Sequence, residues 1–297
     1  MFSILKKSRL LYLDIDLQMQ LFDTMVAPIL MYGSEVWGFE DNSIITKFQL
    51  HYLKLILNFK KSSPNAMVFG ELGVLPINNI VKLRVLNYWC KVINSKQDKI
   101  CNVVYRLIFE MDKRNIYHSP WIKFVKESLE QLGFAEYWIN QSVLSPVHFQ
   151  NIVKTRLKDQ YIQFWNETLQ SSNKYTNYRL FKDEFKFENY LKCLPRNLAL
   201  SLCHYRCCNH KLPIEKGRFY CIERDNRTCH MCNSNVLGDE FHYMFECSYF
   251  KAARKKYIPD FYSRPNTLNL KQLFQSNDLD ILLKLSIFVR KIMQNVN

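Results

Sequence analysis

Cys229-His230-Met231-Cys232, followed by Gly238-Asp239-Glu240, His242 and Cys247, makes a C-x2-C-x9-H-x4-C pattern around which the rest of the chain can be read. Three thiolates and one imidazole are the donor set of a tetrahedral zinc ion, and Zn2+ is the cofactor that this spacing implies. Two cysteines separated by two residues can turn back through a knuckle, so that both sulfurs approach a metal at about 2.3 Å without strain. Asn233, Ser234 and Asn235 supply turn-forming side chains, Gly238 is placed to take a positive φ angle, and Asp239 is a candidate N-cap. The run from Glu240 to Lys256 reads as one helix with His242 in its first turn. Cys247 then falls a little beyond one further turn, so local unwinding is expected if both side chains meet one metal. Two alternative ligand sets stay open in the sequence. Cys221 in place of His242 gives a four-cysteine site, and the stretch from Cys203 to His210 holds three cysteines and two histidines.

The remaining composition agrees with a small metal-folded module inside a larger helical body. The chain has 297 residues, ten cysteines and only seven glycines, and 48% of it is hydrophobic, which is ample for a core. Apolar residues recur at three- and four-residue spacing over long stretches, so the fold class is mainly α with few strands. Zinc-binding thiolates require a reducing compartment, nuclear or cytoplasmic, and argue against a disulfide framework. Cys90, Cys101, Cys193, Cys203, Cys207 and Cys208 read as core or half-buried thiols. No apolar run reaches the roughly 18 residues of a membrane span, so no membrane partner is expected, and the opening Met1 to Lys7 does not read as a signal peptide.

The formal charge is +14, a balance that favours polyanionic partners, RNA or DNA above all. Single lysines such as Lys82, Lys91 and Lys123 read as solvated surface, whereas Lys6-Lys7 with Arg9, Lys60-Lys61, and Arg254-Lys255-Lys256 are clusters. Arg206, His210, Lys211, Arg218, Arg224 and Arg227 precede or enter the knuckle, and Lys251, Arg254, Lys255 and Lys256 follow it. These ten are the candidate nucleic-acid-binding residues, with Phe219 or Tyr220 available to stack on an unpaired base. A competing reading pairs Arg218 with Glu215 and makes His210 a hydrogen-bonded structural histidine.

Helices are expected from Asp14 or Asp16, interrupted at Pro28 and ended or bent at Tyr32-Gly33, and from Ser43 to near Asn58. Further ones follow Pro64 and Pro76, then cover about 99–112, 121–132, 147–170, 179–192 and 278–294. Tyr32, Trp37 and Trp89 lie among apolar neighbours and read as core. Composition shifts near Leu194-Pro195-Arg196, and between Arg196 and Lys256 eleven Lys or Arg face six Asp or Glu. This divides the chain into a helical thumb- or connector-like region at 1–194, a basic zinc module at 195–258 and a C-terminal helical segment at 259–297.

Two sets of residues carry a resemblance to a known family. The run Leu21-Phe22-Asp23-Thr24-Met25-Val26-Ala27-Pro28-Ile29-Leu30-Met31-Tyr32-Gly33-Ser34-Glu35-Val36-Trp37-Gly38, with Pro64 to Gly73, resembles the region after the palm of non-LTR (LINE-like) retrotransposon reverse transcriptases. His210-x-Leu212-x-Ile214-Glu215-x-Gly217-Arg218, with Arg227 and the Cys-Cys-His-Cys set, is similar to the terminal zinc-binding region of the same polyproteins. The resemblance implies a thumb and a zinc region that grip template RNA and target DNA, with the remainder of a reverse transcriptase as a further partner. The paired Asp-Asp that holds catalytic metals in that family is missing here, as is a recognisable nuclease core, so no catalytic residue carries over. The expectation is a non-catalytic, nucleic-acid-binding tail of such an element. The alternative from another class is a domesticated helical scaffold whose zinc is purely structural and whose partner is a protein.

Overall fold

The computed structural model describes residues 13–232 and 234–296; Lys6, Lys7, Arg9 and Asn233 lie outside the described residues. The protein is 69% helical, with seventeen α-helices and no strand among the described residues. In chain order these are α1 Ile15–Leu21, α2 Ala27–Leu30, α3 Ser34–Trp37, α4 Ser43–Ile56, α5 Asn65–Leu72 and α6 Ile77–Ile93. Next come α7 Ile100–Lys113, α8 Pro120–Gln131, α9 Ala135–Asn140, α10 Pro146–Gln170, α11 Thr176–Phe181 and α12 Tyr190–Cys193. The last five are α13 Arg196–Arg206, α14 Pro213–Phe219, α15 Lys251–Tyr257, α16 Thr267–Phe274 and α17 Leu279–Val296. None is long and apolar enough to cross a membrane.

The punctuation residues act as their chemistry requires. Pro28 lacks an amide hydrogen, and the first helical run breaks before it, through a π turn at Phe22–Val26. Gly73 ends α5 in the left-handed region at φ 60°, and a Cβ there would meet the Phe187 amide nitrogen at 2.3 Å. That close approach explains a difference from the expected helix at 179–192. Phe187 pairs with Leu72 in an isolated antiparallel bridge, and the Glu188 amide donates to the Glu71 carbonyl at 3.0 Å. The chain is therefore drawn out between α11 and α12 instead of continuing as helix.

Among the described residues the chain forms two compact units, 13–22, 51–74 and 166–296 in the first and 23–50 and 75–165 in the second. In the second, Trp89 is fully buried between Trp138 and Phe149, and its indole nitrogen donates to the Tyr105 hydroxyl at 3.0 Å. Tyr32 differs from expectation: it is 85% exposed and its carbonyl accepts from the half-buried Trp37 indole. In the first unit α13 packs on α17, and Phe274 of α16 stacks on Phe181 and Tyr205. The expected boundary at 194/195 falls within this unit, which holds the metal-ligand segment, the terminal helix and residues 51–74 together.

A buried cation organises that first unit. Arg206, at the end of α13, is 0% exposed and sits with its Nη2 3.2 Å from Glu71 Oε1 and 3.1 Å from Glu188 Oε2. Its other contacts are the carbonyls of Phe274 at 2.9 Å and Phe181 at 3.1 Å, with the Tyr190 ring beneath the guanidinium. Tyr190 donates its hydroxyl to the second oxygen of Glu71, and Lys182 pairs with Glu188. A buried charge is tolerable only when paired and hydrogen-bonded, and here the partners come from four segments, at Glu71, Phe181, Glu188–Tyr190 and Phe274. This corrects the assignment of Arg206 to nucleic-acid contact.

Candidate metal centre

Cys229, Cys232, His242 and Cys247 are all buried, and their ligand atoms lie within 4.8 Å of one another. The sulfurs of Cys229 and Cys247 are 3.9 Å apart, and Cys232 Sγ lies 3.3 Å from His242 Nε2. Local hydrogen bonds build this cluster. The Cys229 amide donates to the Val236 carbonyl and Gly238 to Arg227, both at 2.8 Å, around a bridge between Thr228 and Leu237. Inside that hairpin the Met231 amide points at Cys229 Sγ, 3.3 Å away. Gly238 does not take a positive φ angle, contrary to the expectation from sequence. It is glycine because a Cβ there would come within 2.7 Å of the Pro213 ring.

The second half of the site explains the five-residue interval. Asp239 caps the turn as expected, its carboxylate accepting from the His242 amide at 2.9 Å. The chain then enters a π turn over His242–Glu246, in which the Cys247 amide donates to the His242 carbonyl at 2.9 Å. This i to i+5 closure is the expected unwinding, and it brings both ligands to one point. The anticipated single helix from 240 to 256 is thus broken: Cys247 leaves the helical region at ψ 119°, and α15 starts only at Lys251. Arg254 holds the two parts together, donating to the Met244 carbonyl at 2.7 Å and the Cys247 carbonyl at 2.9 Å.

Two residues beside the ligands have roles that the motif does not express. Glu246 Oε2 lies 3.3 Å from His242 Nδ1, so that nitrogen is engaged and Nε2 is left for the cluster. A carboxylate four residues after a ligating histidine is a signal readable in sequence. Ser234 places its hydroxyl 2.8 Å from Cys232 Sγ. Burial pushes the Cys232 thiol up, and hydrogen bonds from the Ser234 hydroxyl and amide, with Cys229 and His242 behind them, more than offset it and bring it down to about 6. Burial pushes Cys247 the other way, to about 12. In metal-free protein at pH 7, an alkylating reagent should therefore modify Cys232 well before Cys247, as peptide mass spectrometry can read, because the thiolate is the reacting form.

The competing ligands separate in space. Cys221 is exposed and stands outside the four-residue cluster. Cys203 and Cys207 are buried in a different group with Glu71, and Cys208 in another with Glu215 and Glu240. Cys101 and Cys193 are exposed, not half-buried as expected. The chemistry of the donor set, three sulfurs and one imidazole nitrogen converging in a buried cluster, suits a four-coordinate metal ion with no open position.

The ten candidate nucleic-acid residues divide by what their side chains already do. His210 is buried, its Nε2 3.0 Å from Glu240 Oε1, which corrects its assignment to a binding surface. Burial pushes the Glu240 carboxyl up, and His210, with Cys208, more than offsets it and holds it below the usual carboxylate range. Arg227 donates to the carbonyls of Ile222 and Ile214 and lies so close to Gly217 that a Cβ there would come within 2.5 Å of it. Arg218 pairs with Glu215 at 2.6 Å, and Arg254 braces the π turn. Lys211, Arg224, Lys251, Lys255 and Lys256 are exposed. No protein-family model, curated protein or solved structure matches this chain.

Proposed function

We propose that the chain is a zinc-stabilised, non-catalytic nucleic-acid-binding region of a non-LTR retrotransposon reverse transcriptase, gripping template RNA or target DNA. The observation that carries this reading is the direct passage from the metal cluster into a basic helix. Cys247 leads through one 3-10 turn into α15, whose Lys251, Lys255 and Lys256 are exposed, while Arg254 ties the base of that helix to Cys247. A metal at the cluster thereby sets the position of a cationic face. Zinc is the ion the donors suit best. Tetrahedral bonds of about 2.3 Å put two sulfurs about 3.8 Å apart, against 3.9 Å between Cys229 and Cys247. When bound, it supplies a fixed knuckle, and the closed ligand set leaves reaction chemistry to other residues.

The reading is tested by fluorescence anisotropy with single-stranded RNA and duplex DNA over a salt series. Binding should weaken as a power of salt concentration, and Lys255→Glu with Lys256→Glu should lower affinity about tenfold or more at 0.1 M salt. That variant should keep its zinc. One observation favours a second reading, a helical scaffold with a protein partner: Ile100, Val103, Val104 and Leu107 are exposed along one face of α7. Failure of the wild-type protein to bind either nucleic acid at low salt would select it.

A further inference from the structure

The first unit contains a cleft of about 570 Å³ that no sequence motif outlines. Its basic wall comes from segments far apart in the chain: Lys60 after α4, Lys174 before α11, Lys211 ahead of α14, and Lys216 and Arg218 within it. The turns that carry these residues are held in place. The Lys54 ammonium donates to the Lys61 carbonyl at 2.8 Å, Ser63 bonds Asn209 at 3.2 Å, and the Asn209 amide donates to His204 at 2.8 Å.

Charge in the cleft is one-sided. Among the described residues, no ion pair involves Lys60, Lys174, Lys211 or Lys216, and the lining carboxylate, Glu215, is taken up by Arg218. Burial, with the charge of Lys174 behind it, pushes the neighbouring Lys54 ammonium down. Five cations around one carboxylate still repel one another, and an anion in the cleft relieves that repulsion. At the rim stand two large rings in edge contact, Phe219 at 81% and Tyr220 at 62% exposure. Surface aromatic rings beside a basic groove are the pairing that holds unpaired bases while cations track the backbone. The cleft volume is in the range of sites that take one nucleotide-sized group, about 300–1,000 Å³.

We propose that this cleft binds the sugar-phosphate backbone of single-stranded nucleic acid, with Tyr220 and Phe219 stacking on a base at its rim. The inference rests on the nucleic-acid reading above and gives it a second contact region, distinct from α15. Single strands are favoured because a ring at the rim needs the free face of an unpaired base.

The test is anisotropy with a short labelled oligouridylate and, in parallel, a duplex DNA, each variant being first checked for stoichiometric zinc and an unchanged melting temperature. Lys174→Glu with Lys216→Glu should weaken oligouridylate binding at least tenfold and flatten its salt slope by about 1.4, the value for two lost phosphate contacts on a single strand. Tyr220→Ala should cost about tenfold on the single strand and leave duplex binding unchanged. Should the charge reversal unfold the protein, Lys174→Gln with Lys216→Gln and Tyr220→Ala carry the test. If the wild-type protein binds oligouridylate and all cleft variants bind as tightly, the cleft assignment is overturned while the nucleic-acid reading stands. If the wild-type protein binds neither probe at low salt, both fall.

Discussion

Single Cys229→Ser, Cys232→Ser and Cys247→Ser proteins should each fail to retain one zinc ion per chain, and trypsin should cut between Lys211 and Lys256 more than tenfold faster than in wild type. The reason is the thin support around Cys229 and Cys232. The hairpin from Cys229 to Leu237 is held by one bridge, a few backbone bonds and the Arg227 brace beside it, whereas Glu240 and His242 to Phe245 are buried and anchored through Glu240 to Tyr205 and His210. Structural zinc contributes about 10–16 kcal/mol of apparent binding free energy at neutral pH in small finger peptides, and each 1.4 kcal/mol is tenfold in an opening equilibrium. Even a small part of that range is enough to open the knuckle. Acid should release the ion by the same logic, since protons compete for all four donors as pH falls. Full zinc retention in Cys232→Ser would sink the assignment of the metal to these ligands.

Arg206→Met should destabilise the first unit by about 3–5 kcal/mol, the usual cost of leaving a buried charge without its partner. At about 2–4 °C per kcal/mol for a body of this size, its melting temperature should fall by roughly 10 °C. Glu71 is fully buried, and with Arg206 gone it keeps the hydrogen bond from the Tyr190 hydroxyl but loses its counter-charge. Arg206→Met combined with Glu71→Gln should recover much of the loss, since it removes both charges and not one. Thermal or urea unfolding of the two variants decides the matter. An Arg206→Met protein that melts like wild type but binds nucleic acid less tightly would restore the surface role that its burial denies.

The helical fold was largely legible because its signals are local. Pro64 and Gly73 bracket α5, Pro76 starts α6, and Ser43 opens α4, each through backbone chemistry that acts within a few residues. The expectation was incomplete at 179–192 for the opposite reason. What draws that segment out is pairing with α5, whose Leu72 and Glu71 meet Phe187 and Glu188 across more than a hundred residues of chain. The metal site was legible in its ligands and only partly in its backbone. Ligand identity follows from residue type and spacing, whereas the π turn at His242–Glu246 and the packing of Gly238 on Pro213 depend on what surrounds the hairpin. The basic residues were the least legible, since a cation has the same letter whether it faces solvent, a carbonyl or a buried carboxylate.

By itself, then, the amino-acid sequence determined a mainly helical chain and four converging residues that could hold a metal ion, because helical periodicity and a compact Cys-Cys-His-Cys set are short-range properties. Only the tertiary structure decided which cations are available to a partner. Arg206 is consumed by Glu71, 135 residues away in the chain, while Lys60 and Lys174 are brought beside Lys211 and Lys216, none of the four in an ion pair among the described residues. Desolvation and ion pairing are set by what lies next to a side chain in space, and that neighbourhood is written in long-range contacts that no local pattern of residues expresses.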